Sequence, residues 1–354
     1  MKKTLIALTI GATLLTPVMA AAADVKVYGR AHVSLDYLSD GKDYSEIGLS
    51  SNSSRLGFKA EQKLENGMTA FGQIEQEVNF ASGEKGGGVN FATRDTFVGL
   101  KGDFGQVKVG RFDTPFKTAR GPVNFFGDQV GDLRNLTRGG DHRFDERNDN
   151  TIEYKSPKFA GAFQAAAALS MHAGSSIPKT ATGEGQDDNK AYDLALTYKE
   201  GPVDIAVAYA HYDANAANAR AKSDRDAFRV AGAYKITNEL NVGAFVQMGD
   251  IDVDSTKDAN VYGIAADYKL TPKTYIRGQV FQRDVDANNS DSTLLALGVE
   301  HRLDKTVRVY ANLATVLNDA ESDLTPWTQA RSNNIGGAKG EDSTALSLGF
   351  RYDF

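Results

Sequence analysis

Polar and apolar residues alternate with a period of two along much of this chain of 354 residues. Near the C-terminus, large apolar side chains occupy the even positions from Leu346 to Phe354, and small or charged side chains occupy the odd ones. Because successive side chains of a β-strand point to opposite faces, such a segment forms a strand with one apolar and one polar face. A strand of this kind suits a wall between lipid and water.

The same alternation recurs in a series of hairpins along the chain. Short turns are predicted at residues 65–67, 103–105, 156–161, 199–202, 237–239, 271–273 and 304–305. Longer polar segments alternate with them, at residues 39–53, 81–92, 112–146, 172–189, 213–224, 249–258, 284–291 and 314–343. Short connections at one end and long loops at the other are typical of outer-membrane barrels. The pattern predicts an all-β fold, a 16-stranded antiparallel transmembrane β-barrel.

A soluble β-sandwich would also alternate, but it would scatter its aromatic rings through a core. Here many tyrosines lie near strand ends on the outward face, as in an interfacial aromatic girdle. They are Tyr192, Tyr198, Tyr209, Tyr234, Tyr262, Tyr268 and Tyr352. This distribution favours the membrane barrel.

The N-terminus has the features of a secretory signal peptide. Lys2 and Lys3 precede an apolar run from Leu5 to Leu15, and small residues follow from Ala20 to Ala23. The apolar run is shorter than the ~20 residues that a membrane-spanning helix requires. We therefore assign residues 1–23 to a signal peptide, with cleavage between residues 20 and 23, and residues 24–354 to the barrel. The chain has no cysteine, so a closed hydrogen-bonded barrel is expected to stabilise it without disulfides.

A barrel of about sixteen strands is too wide for side chains to fill, so an aqueous channel is expected. The longest internal loop, residues 112–146, follows the fifth strand and carries the apolar residues Phe125 and Phe126. Loops of this length in compact proteins are usually functional. We predict that this third loop folds inward and narrows the channel; an ordinary surface loop is the alternative.

Enzymatic function finds no support in the motifs. The chain has no Gly-x-Ser-x-Gly sequence and no Walker loop. Its five histidines show no metal-ligand spacing, and the glycines Gly86 to Gly88 lack the strand and helix of a nucleotide site. No catalytic residue, metal, cofactor or nucleic-acid partner is expected.

Five fragments resemble the trimeric porins of Gram-negative bacteria, nearest the branch of neisserial and other proteobacterial general porins. They are VKVYGRAHVSLDY at 25–37, SRLGFKAEQKLENGMTAFGQIE at 54–75, RDTFVGLKGDFGQVKVGR at 94–111, DNTIEYKSPKFAG at 149–161, and the terminal RYDF. The final strand also resembles the signal by which the outer-membrane assembly machinery recognises barrels, which here falls on Phe350, Tyr352 and Phe354.

The resemblance implies a pore constriction between wall arginines and acids of the third loop. The motifs place the wall cluster on Arg30, Arg55, Arg94 and Arg147, and the acids on Asp128 and Asp132. The alternation agrees for Arg30 and Arg55, but an inward Arg94 would turn Asp95 outward. Arg111 precedes the loop and either supports it or forms an ordinary salt bridge. The loop lacks the Pro-Glu-Phe-Gly-Gly tip of enterobacterial porins and carries Gly127–Asp132 instead.

The resemblance further implies a homotrimer in the outer membrane, in contact with lipid and lipopolysaccharide, that passes ions and small hydrophilic solutes by passive diffusion. The inward strand faces carry more bases than acids, so a weak preference for anions is expected. The alternative function is an adhesin or receptor barrel that acts through its long extracellular loops.

Overall fold

The computed structural model describes residues 24–82, 93–171, 190–214, 223–329, 331–332 and 335–354. Over these ranges the chain forms a closed antiparallel β-barrel of 16 strands, which confirms the prediction from the alternation. The segment assigned to a signal peptide, residues 1–23, lies outside the described residues.

Each strand is connected to the next in sequence order. The strands are β1 (Asp24–Ser39), β2 (Ser45–Ser51 and Arg55–Lys63), β3 (Thr69–Glu77), β4 (Thr96–Gly102), β5 (Gly105–Asp113), β6 (Arg147–Lys155), β7 (Phe163–Ser170), β8 (Ala191–Glu200), β9 (Val203–Tyr212), β10 (Arg225–Lys235), β11 (Leu240–Ile251), β12 (Ala259–Lys269), β13 (Thr274–Val285), β14 (Ser292–Arg302), β15 (Val307–Asn318) and β16 (Ser343–Asp353). The helical elements are α1 (Pro115–Thr118), α2 (Arg134–Thr137) and two 3-10 turns, Gly121–Val123 and Ser255–Lys257. In the described part of the chain, no helix is long and apolar enough to cross a membrane.

The first and last strands close the barrel. β1 pairs antiparallel with β16, from Arg30 opposite Asp353 to Ser39 opposite Thr344. One step further, the Gly29 amide donates to the Phe354 carbonyl at 2.8 Å, and the Phe354 amide donates to the Gly29 carbonyl at 3.0 Å. A closed ladder leaves no unpaired strand edge, which is what a β-structure needs to cross lipid.

Strand β2 begins earlier than the sequence predicts and is interrupted once. Residues 45–51, expected in a polar loop, pair with β1. The ladder then breaks at residues 52–54, where polar side chains replace the missing backbone bonds. Ser54 Oγ lies 2.9 Å from both the amide nitrogen and the carbonyl oxygen of His32, and Asn52 Nδ2 donates to Ser34 Oγ at 2.8 Å. Serine and asparagine compete in this way with regular strand pairing.

The two faces of the sheet differ as the alternation predicts. On β16, Leu346, Leu348 and Phe350 are 47%, 54% and 41% exposed, whereas Ala345 and Ser347 are fully buried. The exposed apolar side chains form the outer surface, and the small and polar side chains form the inner face. This distribution is that of a barrel with lipid outside.

The main apolar core lies between the long loop and the inner face of β10–β15. The loop contributes Val123, Leu133 and Leu136. The strands contribute one or two side chains each, namely Ala231, Phe245, Val261, Ala265, Phe281, Leu294 and Val316. Loop and wall therefore share one packed interior.

Candidate functional site: the charged inner face

We define the long loop as residues 114–146, between β5 and β6. Thr114 begins it by capping α1, because its Oγ1 accepts a hydrogen bond from the Lys117 amide at 3.2 Å. Further along, Gly131 has a φ of +89°, and a Cβ there would come within 2.8 Å of the Ala296 Cβ on β14. A glycine is needed because the loop backbone both turns and contacts the wall at this point.

Asp128 of the long loop contacts two of the expected wall arginines. Its Oδ2 lies 3.3 Å from Arg30 Nη1 on β1 and 3.5 Å from Arg55 Nη2 on β2. The three side chains are 18% to 21% exposed, so they retain access to solvent. The structure thus brings together Asp128, Arg30 and Arg55.

Asp132, the second expected acid, lies behind Asp128 and contacts neither Arg30 nor Arg55. It is fully buried, and its Oδ2 accepts hydrogen bonds from the Asp128 amide at 2.8 Å and from Arg134 Nη2 at 2.6 Å. Arg134 Nη2 also donates to Asp128 Oδ1 at 2.9 Å. Asp132 and Arg134 therefore hold the loop tip in shape.

The backbone and charge of Asp128 are both fixed by these neighbours. Its φ is +61°, a left-handed conformation that aspartate tolerates better than most residues. Burial raises the pKa of Asp128, but Arg134, Arg55 and Arg30 outweigh burial and hold that pKa well below its usual range. The carboxylate is therefore charged under all ordinary conditions.

Arg94 joins the cluster through an acid that sequence reasoning did not single out. It precedes β4, is 8% exposed, and contacts Glu75 of β3 through Nε at 2.7 Å. The same Glu75 Oε1 lies 3.6 Å from Arg55 Nη1, and its Oε2 accepts a hydrogen bond from the Tyr28 hydroxyl at 2.8 Å. Glu75 thus bridges Arg55 and Arg94. The alternation along β3 places Glu75 on the inward face, and this was the sequence signal that could have identified it as a site residue.

Arg147 and Arg111 form separate ion pairs. Arg147 contacts Asp95 through Nε at 2.5 Å and Asp113 through Nη2 at 2.8 Å. Arg111 pairs with Asp149. Neither arginine forms an ion pair with Asp128 or Asp132 in the described residues, so the structure does not bring all seven expected residues into one cluster.

The long loop is also bound to two further strands of the wall. Asp145 forms a buried ion pair with Arg229 of β10 at 2.8 Å. Gln279 of β13 donates to the Gly131 carbonyl at 2.6 Å, and Arg277 of the same strand donates to the Phe125 carbonyl at 3.1 Å. The loop therefore contacts β1 and β2 through Asp128, β13 through Phe125 and Gly131 close to the tip, and β10 through Asp145 near its end.

A second loop reaches the long loop, and sequence reasoning did not anticipate it. In the last loop, residues 319–342, the Pro326 carbonyl accepts a hydrogen bond from the Gly131 amide at 2.8 Å. Thr328 Oγ1 donates to Asn135 Oδ1 at 2.9 Å, and Trp327 is 1% exposed among inner-face side chains. The lone tryptophan of the chain was the only signal for this contact in the sequence.

The proposed assembly signal lies on the outer surface at the closing seam. Phe350, Tyr352 and Phe354 are 41%, 40% and 50% exposed, and the rings of Tyr352 and Phe354 are 5.3 Å apart. A Cβ on Gly29 would come within 2.3 Å of the Phe354 ring, so this ring covers the glycine of β1.

A closed barrel with an apolar exterior and a charged inner face defines the class of transmembrane β-barrels. Comparison with known proteins gives the family. The family model described as Gram-negative porin matches residues 5–321, and the chain therefore belongs to the Gram-negative porin family. It is an outer-membrane porin, and porins of this family form channels for passive diffusion.

Two relatives are outer-membrane proteins by name, and their alignments with this chain cover different shares of the two proteins. Outer membrane porin protein 32 of Delftia acidovorans is 27% identical, and the alignment covers 100% of both chains. Major outer membrane protein P.IB of Neisseria sicca is 32% identical over 207 residues, so the match spans about half of that protein (55%) and 56% of this chain.

Solved structures show the same fold. An anion-selective porin from Comamonas acidovorans has a TM-score of 0.79 and 23% sequence identity, over 94% of this chain and 100% of that one. OmpT of Vibrio cholerae has a TM-score of 0.64 and 21% identity, again over 94% of this chain and 100% of that one.

Proposed function

We propose that the long loop folds into the lumen and narrows a water-filled channel, and that this channel passes small hydrophilic solutes and ions with a weak preference for anions. The observation that carries the proposal is the contact of Asp128 with two wall arginines, Arg30 and Arg55, at 3.3 Å and 3.5 Å. One loop carboxylate faces two guanidinium groups, and Glu75 and Asp353 pair with them as well, so the positive surplus of the inner face comes from its other arginines.

The contacts of the loop support its position across the lumen. Asp128 at its tip reaches the inner face of β1 and β2, and Asp145 near its end is bound to β10. In the closed barrel of 16 strands β10 lies eight strands from β2, and a segment that contacts both from the inner side crosses the channel. The channel is then narrowest in the open space beside Asp128 and its two arginine partners.

The electrostatics favour anions only weakly. Arginine stays charged at any relevant pH, and a narrow passage with walls of low dielectric constant focuses its potential. Glu75 nevertheless neutralises part of the charge on Arg55 and Arg94, and Asp95 and Asp113 neutralise Arg147. The structural neighbour from Comamonas acidovorans is described as anion-selective, which is consistent with the proposed direction.

We also propose a homotrimer that packs through the outer face of β1–β5. A shallow apolar hollow of about 480 Å³ lies there, lined by Val25, Phe58, Ala60, Ile74 and Val98 among others. Small side chains at a contact allow two walls to approach closely. Replacing Ala60 with Trp fills this hollow and should convert trimers to monomers in mild detergent.

A matched control for the trimer test is available on another part of the wall. Ala167 lines a second outer hollow, between β6 and β10, that the proposal leaves facing lipid. Ala167→Trp should therefore leave the trimer intact. Native mass measurement of both variants decides the matter, and loss of the trimer in Ala167→Trp alone would refute the assignment.

Planar bilayer recording tests the channel itself. The purified protein should produce discrete conductance steps, and a salt gradient should give a reversal potential of the sign expected for anions. Correctly folded protein that inserts without conductance would favour the adhesin alternative, which the comparisons do not support.

A further inference from the structure

Three aromatic side chains of the inner wall are partly exposed instead of packed into a core. They are Tyr28 of β1, Phe71 of β3 and Phe97 of β4, and we call them the aromatic patch. The inner face of such a barrel is ordinarily polar. Other inner aromatic rings, such as Phe245 and Phe281, are buried under the long loop. The aromatic patch therefore presents apolar surface on a wall that elsewhere is polar or covered.

Glycines on neighbouring strands allow these rings to lie against the wall. A Cβ on Gly57 of β2 would come within 2.4 Å of the Tyr28 ring, and a Cβ on Gly99 of β4 would come within 2.6 Å of the Phe71 ring. The rings of Phe71 and Phe97 are 6.0 Å apart and inclined at 69°, the edge-to-face arrangement that aromatic rings prefer. The patch is thus an ordered surface on which a further ring can pack.

Lys59 of β2 supplies a positive charge beside the aromatic patch. Its Nζ lies 4.4 Å from the centre of the Tyr28 ring, and it forms no ion pair within the described residues. Directly opposite Lys59 are Lys26 of β1 and Gln73 of β3, and neither is an acid. Like charges directly opposite each other destabilise a sheet. An anion bound at Lys59 would offset this repulsion.

Two other lysines beside the patch are already paired with acids. Lys101 Nζ lies 2.8 Å from Glu61, and Lys108 Nζ lies 3.1 Å from Glu153. Each of these pairs is close to neutral, so it neither attracts nor repels an anion strongly. Lys59 is therefore the ammonium group that a solute at the patch can use.

The patch is separate from the contacts of Asp128. Lys59 follows Arg55 by four residues along β2, about 13 Å, in the direction of the short turn at residues 65–67. Short turns of such barrels face the periplasm. The patch therefore lies on the periplasmic side of those contacts.

We propose that Lys59 and the aromatic patch bind aromatic monocarboxylates, of which benzoate is the simplest. Lys59, Gln73 and Phe97 lie in one row across β2, β3 and β4, so the backbones of Lys59 and Phe97 are about 10 Å apart. A benzoate ring that packs against Phe71 and Phe97 can place its carboxylate at the flexible, exposed Lys59 side chain. The site assigns a solute class to the proposed channel and rests on that function.

Single-channel recording at fixed ionic strength tests the site, with benzoate and acetate as the probes. Both ions carry one carboxylate, and only benzoate has a ring. Benzoate should reduce the chloride current saturably, whereas acetate should need a concentration at least about tenfold higher for the same reduction, because it buries no ring on the patch. Equal reduction by both ions overturns the proposal.

The variants Lys59→Gln and Phe71→Ala locate the site. Each should raise the half-blocking concentration of benzoate at least about fivefold. Lys155→Gln is the matched control, because Lys155 of β6 is another inner-face lysine and lies two strands from Phe97. Unchanged block in either site variant, or an equal loss in Lys155→Gln, overturns the assignment. If Phe71→Ala yields no folded barrel, Lys59→Gln alone carries the test, since Lys59 is exposed.

A binding measurement separates the site from the channel. In saturation-transfer difference NMR of the purified protein in detergent, the benzoate ring should give a signal that falls in Phe71→Ala and persists in Lys155→Gln. Such a signal without conductance steps refutes the channel and leaves the site standing. Conductance without saturable benzoate block and without this signal refutes the site and leaves the channel standing.

Discussion

Arg229 of β10 and Asp145 of the long loop form an ion pair in which both side chains are fully buried. Arg229 Nη1 donates to Asp145 Oδ1 at 2.8 Å and Nη2 donates to Oδ2 at 3.0 Å. The guanidinium also lies 4.0 Å above the ring of Phe116, another loop residue. A bidentate pair fixes orientation as well as distance, so this contact anchors the long loop to the wall.

Replacing Asp145 with Ala should loosen the long loop. The change leaves Arg229 buried without its carboxylate, and breaking a buried pair in this way costs about 3–5 kcal/mol. We expect greater open-channel current noise and a lower free energy of unfolding in denaturant titration. Asp149→Ala is the control, because its ion pair with Arg111 is 33% and 44% exposed and is worth at most about 1 kcal/mol. Equal effects of the two changes would contradict the anchoring role.

Lys117 of α1 should make the anion preference depend on pH. Burial, together with Arg147 and Arg120, lowers the pKa of Lys117 to about 8, although Asp113 Oδ1 lies 2.9 Å from Nζ. Raising the pH through about 8 removes this positive charge, so the reversal potential should shift toward cations. A shift of the same size in Lys117→Met would show that another group is responsible.

The lowered pKa of Lys117 also predicts how the stability of the protein changes with pH. The pKa of Lys117 in the folded protein, about 8, lies below its ordinary value of 10.5. Folding therefore disfavours the protonated form of Lys117. The free energy of unfolding should rise as the pH increases from about 8 to 10.5. Denaturant titration over this range, compared with Lys117→Met, measures the contribution.

Trp327 should hold the last loop against the long loop. Its ring is 1% exposed, and truncating a buried Trp to Ala costs about 3–5 kcal/mol. We expect the segment around Pro326 and Thr328 to detach from the long loop, which should raise the single-channel conductance. Trp327→Phe keeps most of the packing and should have a conductance close to that of the unmodified protein. Unchanged conductance in Trp327→Ala would place the last loop outside the path of the ions.

Phe354 should be required for efficient assembly through its ring. Deleting the residue would also remove its two backbone hydrogen bonds with Gly29, so Phe354→Ala is the cleaner change. The variant should keep the closing ladder and accumulate in the periplasm instead of the outer membrane. Fractionation of cells at low expression measures this, and normal outer-membrane levels of Phe354→Ala would show that the ring is not a required signal.

The sequence predicted the barrel because its strands alternate with little interruption, as at Leu346 and Leu348 on the outside and Ala345 and Ser347 on the inside. It did not predict the start of β2 at Ser45, because the polar composition there resembles a loop. Side-chain hydrogen bonds such as that of Ser54 with His32 replace the missing ladder bonds, and periodicity carries no information about them.

The candidate site was predictable only in part. Arg30 and Arg55 lie on strands, so the alternation predicted that their side chains point into the barrel. The roles of Asp128 and Asp132 differ because of a local turn, in which Asp132 accepts a hydrogen bond from the Asp128 amide. The docking of Trp327 joins positions far apart in the chain, and no local pattern reports such contacts.

The reversal potential of the double variant Arg55→Ser, Arg94→Ser, recorded at low salt, tests the central claim most directly. Charges act over about 10 Å at 0.1 M salt and over a longer distance below it. If the wall arginines line the narrowest passage, the variant should show higher conductance and a reversal potential shifted toward cations, and the shift should fade as salt rises. If both quantities match those of the unmodified protein at low salt, these arginines do not line the passage and the account is contradicted.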